Sequence, residues 1–408
     1  HCSPTRRSSD LYLNDGDDRT TKDLGVTGIW LMPIHPSPSY HGYDVTDYRA
    51  INPEYGTMEE FKTFLAEAKE RDIAVIVDLV VNHTSTEHPW FISSAAGDPE
   101  YRNWFTWATP DDQRYNLGTQ VWGHDVWHLR DSYLYYAIFW GGMPDLNFNE
   151  PAVRREMKDI ATFWLEMGVD GFRLDAVPHI FGSGELPDHE FGFEKSLAWW
   201  KEFSEHSKSI NPDVFLVGEV LDRMGTRLPF AAGLDSLFHF DMGEAIANAV
   251  RTGFSRNDYL ASLFEGELAS YREVNPNFVN SPFLSNHDQN RIYGLVGAKP
   301  ENMKLAASMY LLNEGIPFVY YGEEIGMFGS KPDEDIRLPF LWGEDTFQTA
   351  WRESRYKNVV PLSEQINDPN SIQTHYRRLI QLRAALPALH SGSLSAVHAN
   401  IPEDRKSV

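Results

Sequence analysis

The chain has 408 residues and a formal net charge of −23, from 59 acidic and 36 basic side chains. This acidic balance argues against a nucleic-acid partner, because phosphates are bound by a basic face. No apolar run approaches the length of about twenty residues that crosses a bilayer, so we expect no membrane partner. The excess of negative charge favours weak self-association, and we expect a chain that works as a monomer. Cys2 is the single cysteine, which excludes an intrachain disulfide.

The predicted elements alternate between short apolar strands and amphipathic helices, a pattern typical of parallel α/β units. Strands are predicted at residues 28–34, 73–81, 169–174, 214–217, 236–240, 282–284 and 316–321. Helices are predicted at 58–71, 151–167, 193–208 and 371–386. Pro151 stands in the first turn of its helix, where its missing N–H costs no hydrogen bond.

Residues 88–142 interrupt this alternation and are rich in aromatic side chains. The segment holds six of the twelve tryptophans, namely Trp90, Trp104, Trp107, Trp122, Trp127 and Trp140. We interpret it as an insertion after the strand at 73–81. Most of these rings are expected to pack a small core of their own, and a few to line a cleft, where flat rings suit the apolar faces of sugars.

Polar side chains follow four of the predicted strands, at the end where a barrel carries its chemistry. They are Asn82 and His83; Arg173 and Asp175; Glu219; and Asn286, His287 and Asp288. A single carboxylate after a strand is often a helix cap. Four strand ends that together supply three carboxylates, an arginine and two histidines predict one active site.

This set of residues suits the cleavage of glycosidic bonds. One carboxylate must be ionised at the anomeric carbon, and another must be protonated to release the leaving oxygen. Arg173, two residues before Asp175, lies on the same face of a strand and is expected to keep Asp175 ionised. Val217 and Val220 flank Glu219, and apolar neighbours are expected to raise its pKa towards that of a working acid.

Six motifs resemble the conserved regions of the α-amylase family of glycoside hydrolases, family 13, and in particular its bacterial α-amylases. They are HGYD (41–44), DLVVNH (78–83), MPDLN (143–147), GFRLDAVPH (171–179), GEV (218–220) and FLSNHD (283–288). The resemblance runs from about residue 10 to about residue 386.

The resemblance implies a (β/α)8 TIM barrel of the α/β class, with an irregular domain inserted after the third barrel strand. The barrel would comprise 10–83 and 143–388, the aromatic-rich inserted domain 84–142, and a remnant of the C-terminal β domain 389–408. On this alignment the strand at 28–34 is the second of the barrel. A counterpart of the first strand is missing, and the C-terminal β-sandwich is largely absent.

The resemblance also implies roles for individual residues. Asp175 would form the covalent glycosyl intermediate, Glu219 would protonate the leaving group and then activate water, and Asp288 would bind sugar hydroxyls as the third carboxylate. The implied substrate-binding residues are Tyr43, Asp44, His83, Arg173, His287 and Arg337. Asp78, Asn82 and Asp145 are interpreted as structural.

Several functions remain open within this family. The favoured function is α-amylase-like hydrolysis of α-1,4 bonds in starch or maltooligosaccharides. An exo-acting α-glucosidase or oligo-1,6-glucosidase is an alternative, in which Asp44 and Arg337 pair around a terminal glucose, and a glucanotransferase is another. Pro178 replaces the lysine frequent in family amylases, which removes a hydrogen bond on the leaving-group side. A non-catalytic carbohydrate-binding or transporter-subunit relative is disfavoured, because all three carboxylates are present.

Calcium is the one cofactor that the resemblance suggests, and the sequence leaves its presence undecided. Asn82 and the carbonyl of His179 occupy positions that bind calcium in many family members. The acidic cluster NDGDD (14–18) does not match the family's calcium loop and is predicted to be a turn.

Overall fold

The computed structural model describes residues 12–17, 22–182, 192–253, 260–343, 348–354, 356, 358–389 and 392–395. Two compact units divide the chain: residues 26–237 form the first, and the second combines the described residues before 26 with those from 238 onwards. Asp18 of the NDGDD segment, residues 183–191 and most of the predicted remnant at 389–408 lie outside the described residues. Within 12–17, Asn14 and Asp15 accept hydrogen bonds from the N–H groups two residues on, as predicted for a turn.

The first unit alternates strands and helices around an insertion. Its elements are β1 (Gly28–Leu31), α1 (Met58–Glu70), β2 (Ala74–Leu79), α2 (Pro89–Ala95), β3 (Trp107–Ala108), β4 (Gln120–Val121), β5 (His124–Asp125), β6 (Trp127–Arg130), β7 (Tyr133–Tyr136), α3 (Pro151–Met167), β8 (Gly171–Leu174), α4 (Gly192–Ile210), β9 (Phe215–Gly218), α5 (Met224–Arg227) and β10 (Ser236–Phe238). Phe238 is counted with the second unit.

The main sheet orders its strands β1–β2–β8–β9–β10, and every pair is parallel. β8 is buried along its whole length and β2 beyond its first residue, as expected for strands covered on both faces. β1 is more exposed, because β2 is its one neighbour among the described strands. The parallel register aligns the carboxyl ends of β2, β8 and β9, and the motifs DLVVNH, GFRLDAVPH and GEV lie at those ends.

Helix α3 occupies residues 151–167, as predicted. Glu150 caps it by accepting from Ala152 N–H at 3.2 Å, Pro151 fills its first position, and Gly168 ends it in the left-handed conformation at φ 106°. On its buried face Trp164 donates to the carbonyl of Tyr48 at 2.9 Å. The helix therefore ends at a fixed point, and β8 begins three residues later.

The insertion is built from small antiparallel pieces. β3, β7 and β6 form a three-stranded sheet, and β4 and β5 form a separate hairpin. Of its six tryptophans, Trp104 and Trp127 are buried, Trp90 and Trp107 are half-buried, and Trp122 and Trp140 are exposed. Two contacts join the segment that follows the insertion to the segment after β2, because Asn82 donates to Asp145 at 3.0 Å and the carbonyl of Asn82 accepts from Leu146 N–H at 2.8 Å.

The second unit is mainly helical. Its elements are α6 (Phe240–Thr252), α7 (Leu260–Val274), β11 (Val279–Ser281), α8 (Ile292–Leu295), α9 (Pro300–Leu311), α10 (Asp333–Ile336), α11 (Leu362–Gln365) and α12 (Ile372–Ala385). Side chains of α6, α9 and α12 pack one apolar core, which includes Ile246, Met303 and Tyr376. No helix in the described part of the chain is long and apolar enough to cross a membrane.

Three strand predictions need correction in this half of the sequence. The strand predicted at 282–284 lies at Val279–Ser281, and the one predicted at 236–240 ends at Phe238 because Phe240 starts a helix. The strand predicted at 316–321 is wrong in extent: it is reduced to one parallel bridge between Phe318 and Phe283. Pro317 has no N–H to donate, and the backbone turns at Gly322, with φ 82°.

Candidate active site

Arg173 is the centre of the polar cluster at the ends of β2, β8 and β9. Its Nη1 lies 3.0 Å from Asp78 Oδ1 and 2.5 Å from Asp175 Oδ1, and its Nη2 lies 2.9 Å from Glu219 Oε2. The arginine and Asp78 are fully buried, whereas Asp175 and Glu219 retain some exposure. One guanidinium therefore holds three carboxylates, of which two face accessible space.

The neighbouring opposite charges and burial have opposite effects on the pKa values of Arg173 and Asp78. Burial disfavours the charged guanidinium, but the carboxylates of Asp78 and Glu219 outweigh it and raise the pKa of Arg173 well above its ordinary value. Burial, reinforced by the charge of Asp175, raises the pKa of Asp78 to about 7, although Arg173 acts in the other direction. The cluster thus carries more carboxylates than its single cation can neutralise, and it favours the retention of a proton.

The backbone after Asp175 turns sharply and meets Glu219. Ala176 adopts the left-handed conformation, with φ 51° and ψ 36°, which is uncommon for a residue with a Cβ. Its N–H donates to Glu219 Oε2 at 3.4 Å, and Glu219 N–H donates to the carbonyl of Leu174 at 3.0 Å. Val217 and Val220 are buried, and the Glu219 carboxylate itself contacts the Arg173 guanidinium and a backbone N–H. The predicted effect of the two valines on the pKa of Glu219 stays a prediction.

His83 follows β2, as the sequence predicted, and lies four residues beyond the last residue of that strand. Burial lowers its pKa to about 3. Its Nε2 atom is buried and has no hydrogen-bond partner among the described residues, whereas its carbonyl accepts from Tyr48 OH at 2.7 Å. A neutral imidazole with an unused nitrogen can bind a substrate hydroxyl as donor or acceptor.

Tyr43 and Asp44 come from the loop after β1. The phenol of Tyr43 donates to Asp78 Oδ2 at 2.8 Å, and the Arg173 guanidinium carbon lies 5.8 Å from the centre of its ring. Asp44 is buried and accepts from the hydroxyl groups of Ser37, at 2.6 Å, and Ser39. Tyr43 thus joins the Arg173 cluster, and Asp44 is held by its own loop.

The second unit brings the other predicted residues together. His287 Nε2 lies 2.9 Å from Asp288 Oδ2, and Arg337 Nη2 lies 2.8 Å from Asp288 Oδ1. Arg337 Nε also donates to the carbonyl of His287 at 2.9 Å. His287 is buried, whereas the Asp288 side chain is 43% exposed, so the carboxylate can reach a ligand. Asp44 belongs to the first unit and Arg337 to the second, and their predicted pairing around a terminal glucose stays a prediction.

The residues proposed for calcium give a partial fit. Asn82 Oδ1 is buried without a hydrogen-bond partner among the described residues, as a ligand oxygen would be. Asp145 is already engaged, because it accepts from Asn82 Nδ2 at 3.0 Å and from Ile138 N–H at 2.9 Å. Within the described ranges no three His, Cys, Asp or Glu side chains are grouped as metal ligands. A cation here would rely on amide and carbonyl oxygens.

A cavity of about 830 Å³ opens beside Glu219, between the insertion and the segment after β8. Its walls include Trp122, Phe139, Pro178, His179 and Leu221. The sequence predicted that some tryptophans line a cleft without indicating which ones. Asp78, which was interpreted from the sequence as structural, belongs to the cluster. A carboxylate in the middle of an apolar strand is the sequence signal for such a buried partner.

Parallel strands that hold two partly exposed carboxylates on one arginine define a glycosidase-type catalytic domain of the (β/α)8-barrel class. The comparisons with known proteins agree, since the family described as "Alpha amylase, catalytic domain" matches residues 20–392. The chain belongs to the α-amylase family of glycoside hydrolases, as the motifs predicted.

The similar proteins include one named as an amylase and one named as a glucanotransferase. The chain is 45% identical over 383 residues to Alpha-amylase 3 of Dictyoglomus thermophilum, covering 92% of this chain and 73% of that protein. It is 32% identical to a 4-alpha-glucanotransferase of Thermotoga maritima, covering 87% of this chain and 78% of that one. Among solved structures, the alpha-amylase from H. orenii matches with a TM-score of 0.87 and 42% identity, over 96% of this chain and 80% of that one.

Proposed function

We propose that this protein is a retaining α-glucan hydrolase that cleaves α-1,4-glucosidic bonds in starch or maltooligosaccharides. The observation that carries the proposal is the bridging of Asp175 and Glu219 by the two terminal nitrogens of Arg173. Retaining glycosidases hold their carboxyl groups about 5–5.5 Å apart, and inverting ones about 6.5–9.5 Å. Two carboxylates on one guanidinium fit the shorter separation.

In the proposed mechanism Asp175 is the nucleophile. Its contact with Arg173 at 2.5 Å keeps it ionised and oriented towards the anomeric carbon. Glu219 donates a proton to the glycosidic oxygen as the bond to that oxygen breaks and the bond from Asp175 to the anomeric carbon forms. Glu219 then takes a proton from water, whose oxygen displaces Asp175 with a second inversion, so that the configuration is retained.

Substrate binding is proposed for the remaining residues. The neutral His83 offers its buried Nε2 to a sugar hydroxyl, and Tyr43, fixed by its hydrogen bond to Asp78, offers its ring to a sugar face. Asp288, held by His287 and Arg337, is the third carboxylate and binds hydroxyl groups. The similarity to a 4-alpha-glucanotransferase makes transfer to a sugar acceptor the second candidate, because the same intermediate can be captured by a sugar.

Two further properties belong to the proposal. A calcium ion held by Asn82 Oδ1 and the carbonyl of His179 would link the segment after β2 to the segment after β8, and a fall in melting temperature on adding a chelator would support it. An unchanged melting temperature would count against a bound ion.

The protein is proposed to work as a monomer, which light scattering tests directly against the mass of one chain.

The decisive experiment compares a maltoheptaoside blocked at its non-reducing end with the unblocked sugar, using Asp175→Asn as the inactive control. Cleavage of both sugars, lost in the variant, is the expected result and establishes endo-acting hydrolysis. Cleavage of the unblocked sugar alone would replace the proposal by an exo-acting α-glucosidase. Cleavage of neither sugar would contradict α-glucan hydrolysis.

A further inference from the structure

Trp30 lies on β1, on the face of the main sheet that carries the Arg173 cluster. The register pairs Trp30 with Ile76 on β2, and Ile76 with Gly171 on β8. Asp78 and Arg173 follow Ile76 and Gly171 by two residues, and residues two apart on a strand point to the same face, as do residues paired on neighbouring parallel strands. The indole of Trp30 is therefore on the same side of the sheet as the buried ion pair.

A cation–π contact connects Trp30 to Arg173. The central carbon of the guanidinium lies 5.3 Å from the centre of the Trp30 ring. A cation within about 6 Å of an aromatic ring centre is attracted by the negative ring face, and the attraction is larger when the cation is removed from water. Arg173 meets this condition, because its side chain is 1% exposed. The contact is therefore of the stronger, desolvated kind.

The hydrogen bonds of Arg173 leave part of its guanidinium without a polar partner. Nη1 and Nη2 contact the carboxylates of Asp78, Asp175 and Glu219. Nε is buried and has no hydrogen-bond partner among the described residues. Because the hydrogen bonds of a guanidinium lie in its plane, its two faces are left for apolar or aromatic neighbours. The Trp30 ring supplies such a neighbour to a cation that water does not reach.

The position of Arg173 decides how the two carboxylates of the proposed mechanism are held. A displaced guanidinium would alter its contacts with Asp175 and Glu219 together, and a misplacement of about 1 Å at a reacting group can cost about 10²-fold in rate. The ring of Tyr43 also lies near the guanidinium carbon, at 5.8 Å, but it is itself proposed to contact a sugar. Trp30 carries no proposed contact with the substrate, so a change there acts on the arginine.

We infer that Trp30 is a positioning residue, whose ring face fixes the Arg173 guanidinium against Asp175 and Glu219. The inference rests on the proposed function and adds a residue that acts on both carboxylates through the arginine. A weaker hold on Arg173 stabilises the Asp175 anion less, so the nucleophile is protonated at a higher pH. A less negative ring should therefore lower kcat and move the acid limb of the activity profile to higher pH, without a change in KM.

The test varies the charge on the ring face at nearly constant shape. Tryptophan with one, two or three fluorine atoms on its benzene ring is incorporated at position 30 by nonsense suppression, because fluorine withdraws electron density and weakens the attraction of a cation stepwise. Trp199 receives the same series as the matched control. It is fully buried, and its ring neighbours among the described residues are the aromatic rings of Phe148, Trp200 and Phe203. Trp30→Leu removes the aromatic ring altogether.

We expect kcat for maltotetraose to fall stepwise along the series at position 30 and about tenfold in Trp30→Leu, as the loss of one desolvated cation–π contact implies. The acid limb of the pH profile should move to higher pH in the same order, and KM should stay constant. The series at position 199 should change none of these quantities. A flat series at position 30, or a loss confined to KM, would overturn the inference.

Melting temperatures separate this inference from the proposed function. Each fluorine at position 30 should lower the melting temperature more than the same fluorine at position 199, because only the ring of Trp30 contacts the buried Arg173. This comparison needs no catalysis. If the unaltered protein does not cleave maltotetraose, the proposed function fails, and the melting temperatures alone decide the contact. Equal changes in the two series would overturn it.

Discussion

Asp78 and Arg173 stand opposite each other on the neighbouring parallel strands β2 and β8, and their side chains form a fully buried ion pair at 3.0 Å. Asp78 also accepts the phenol proton of Tyr43 at 2.8 Å, and Arg173 contacts both Asp175 and Glu219. The pair therefore connects Tyr43, for which contact with a sugar face is proposed, to the two carboxylates of the proposed mechanism. Asp78 acts through its neighbours and is a positioning residue.

Replacing Asp78 by Asn should damage both stability and catalysis. The change weakens the buried hydrogen bonds that Asp78 accepts from Arg173 and Tyr43, and a buried hydrogen bond to a charged group contributes about 1.5–3 kcal/mol of unfolding free energy. Misplacement of Tyr43 and Arg173 should also lower kcat about 10²-fold. Urea unfolding and initial rates on maltotetraose measure the two effects. Asp213→Asn, on the surface of the same unit, is the control, and wild-type rates in Asp78→Asn would refute the positioning role.

Glu219→Gln should separate the two steps of the reaction. Without the acid, kcat for maltotetraose is expected to fall by about 10²–10⁴-fold. α-Maltosyl fluoride needs no proton to release its leaving group, so the first turnover should still give a burst of fluoride. The second step lacks its base, and the maltosyl enzyme should accumulate on Asp175, detectable by mass spectrometry. Equal loss of the first turnover on both substrates would contradict the assignment of Glu219 as the acid.

A buried carboxylate in the second unit should make stability depend on pH. Glu323 accepts from the phenols of Tyr310 and Tyr376, both at 2.7 Å, and its Oε2 has no hydrogen-bond partner in the described chain. Burial raises its pKa from the ordinary 4.5 to about 8, and that of the neighbouring Glu324 to about 7. The titratable and charged groups that act on the two glutamates are Tyr12, Tyr310, Tyr376 and Arg291.

Because the folded pKa lies above the unfolded one, the folded state binds the proton more tightly. The stabilisation is fully present below about pH 4.5 and is lost as the pH rises through about 8. We therefore expect the melting temperature to fall between pH 5 and pH 8, and Glu323→Gln to flatten this fall. Calorimetric scans across that window measure it, with the exposed Glu364→Gln as control. An unchanged pH dependence in Glu323→Gln would contradict the account.

Replacement of two glycines by alanine should change the free energy of unfolding in opposite directions. A Cβ on Gly171 would collide with the carbonyl of Phe215, its partner on β9, at the start of the strand that carries Arg173. Gly171→Ala should destabilise the protein by about 1–3 kcal/mol, as overpacking does. Gly266 lies inside α7 with open space around it, so Gly266→Ala should stabilise the protein by about 0.5–1 kcal/mol. Urea unfolding of both variants compares the signs, and equal effects would contradict the steric argument.

The sequence by itself determined the elements whose signals are local. Helix α3 runs over 151–167 as predicted, because its cap, its first-turn proline and its terminal glycine are all within the segment. The apolar run at 73–81 predicted β2 with its boundaries shifted by one or two residues. The strand-end motifs identified Arg173, Asp175 and Glu219, since parallel strands bring their carboxyl ends to one edge. The strand predicted at 316–321 was wrong in extent. Its residues are mostly apolar, but Pro317 has no N–H to donate and the backbone turns at Gly322.

The tertiary structure decided which of these residues meet. Asp78 and Arg173 are 95 positions apart, and the register of β2 with β8 makes them partners. Asp175 and Glu219 meet on one guanidinium for the same reason. Among six similar tryptophans, the fold alone selected Trp122 for the cavity beside Glu219. Periodicity and caps act over a few residues, whereas ion pairs, registers and cavities depend on distances that the chain acquires only when it folds.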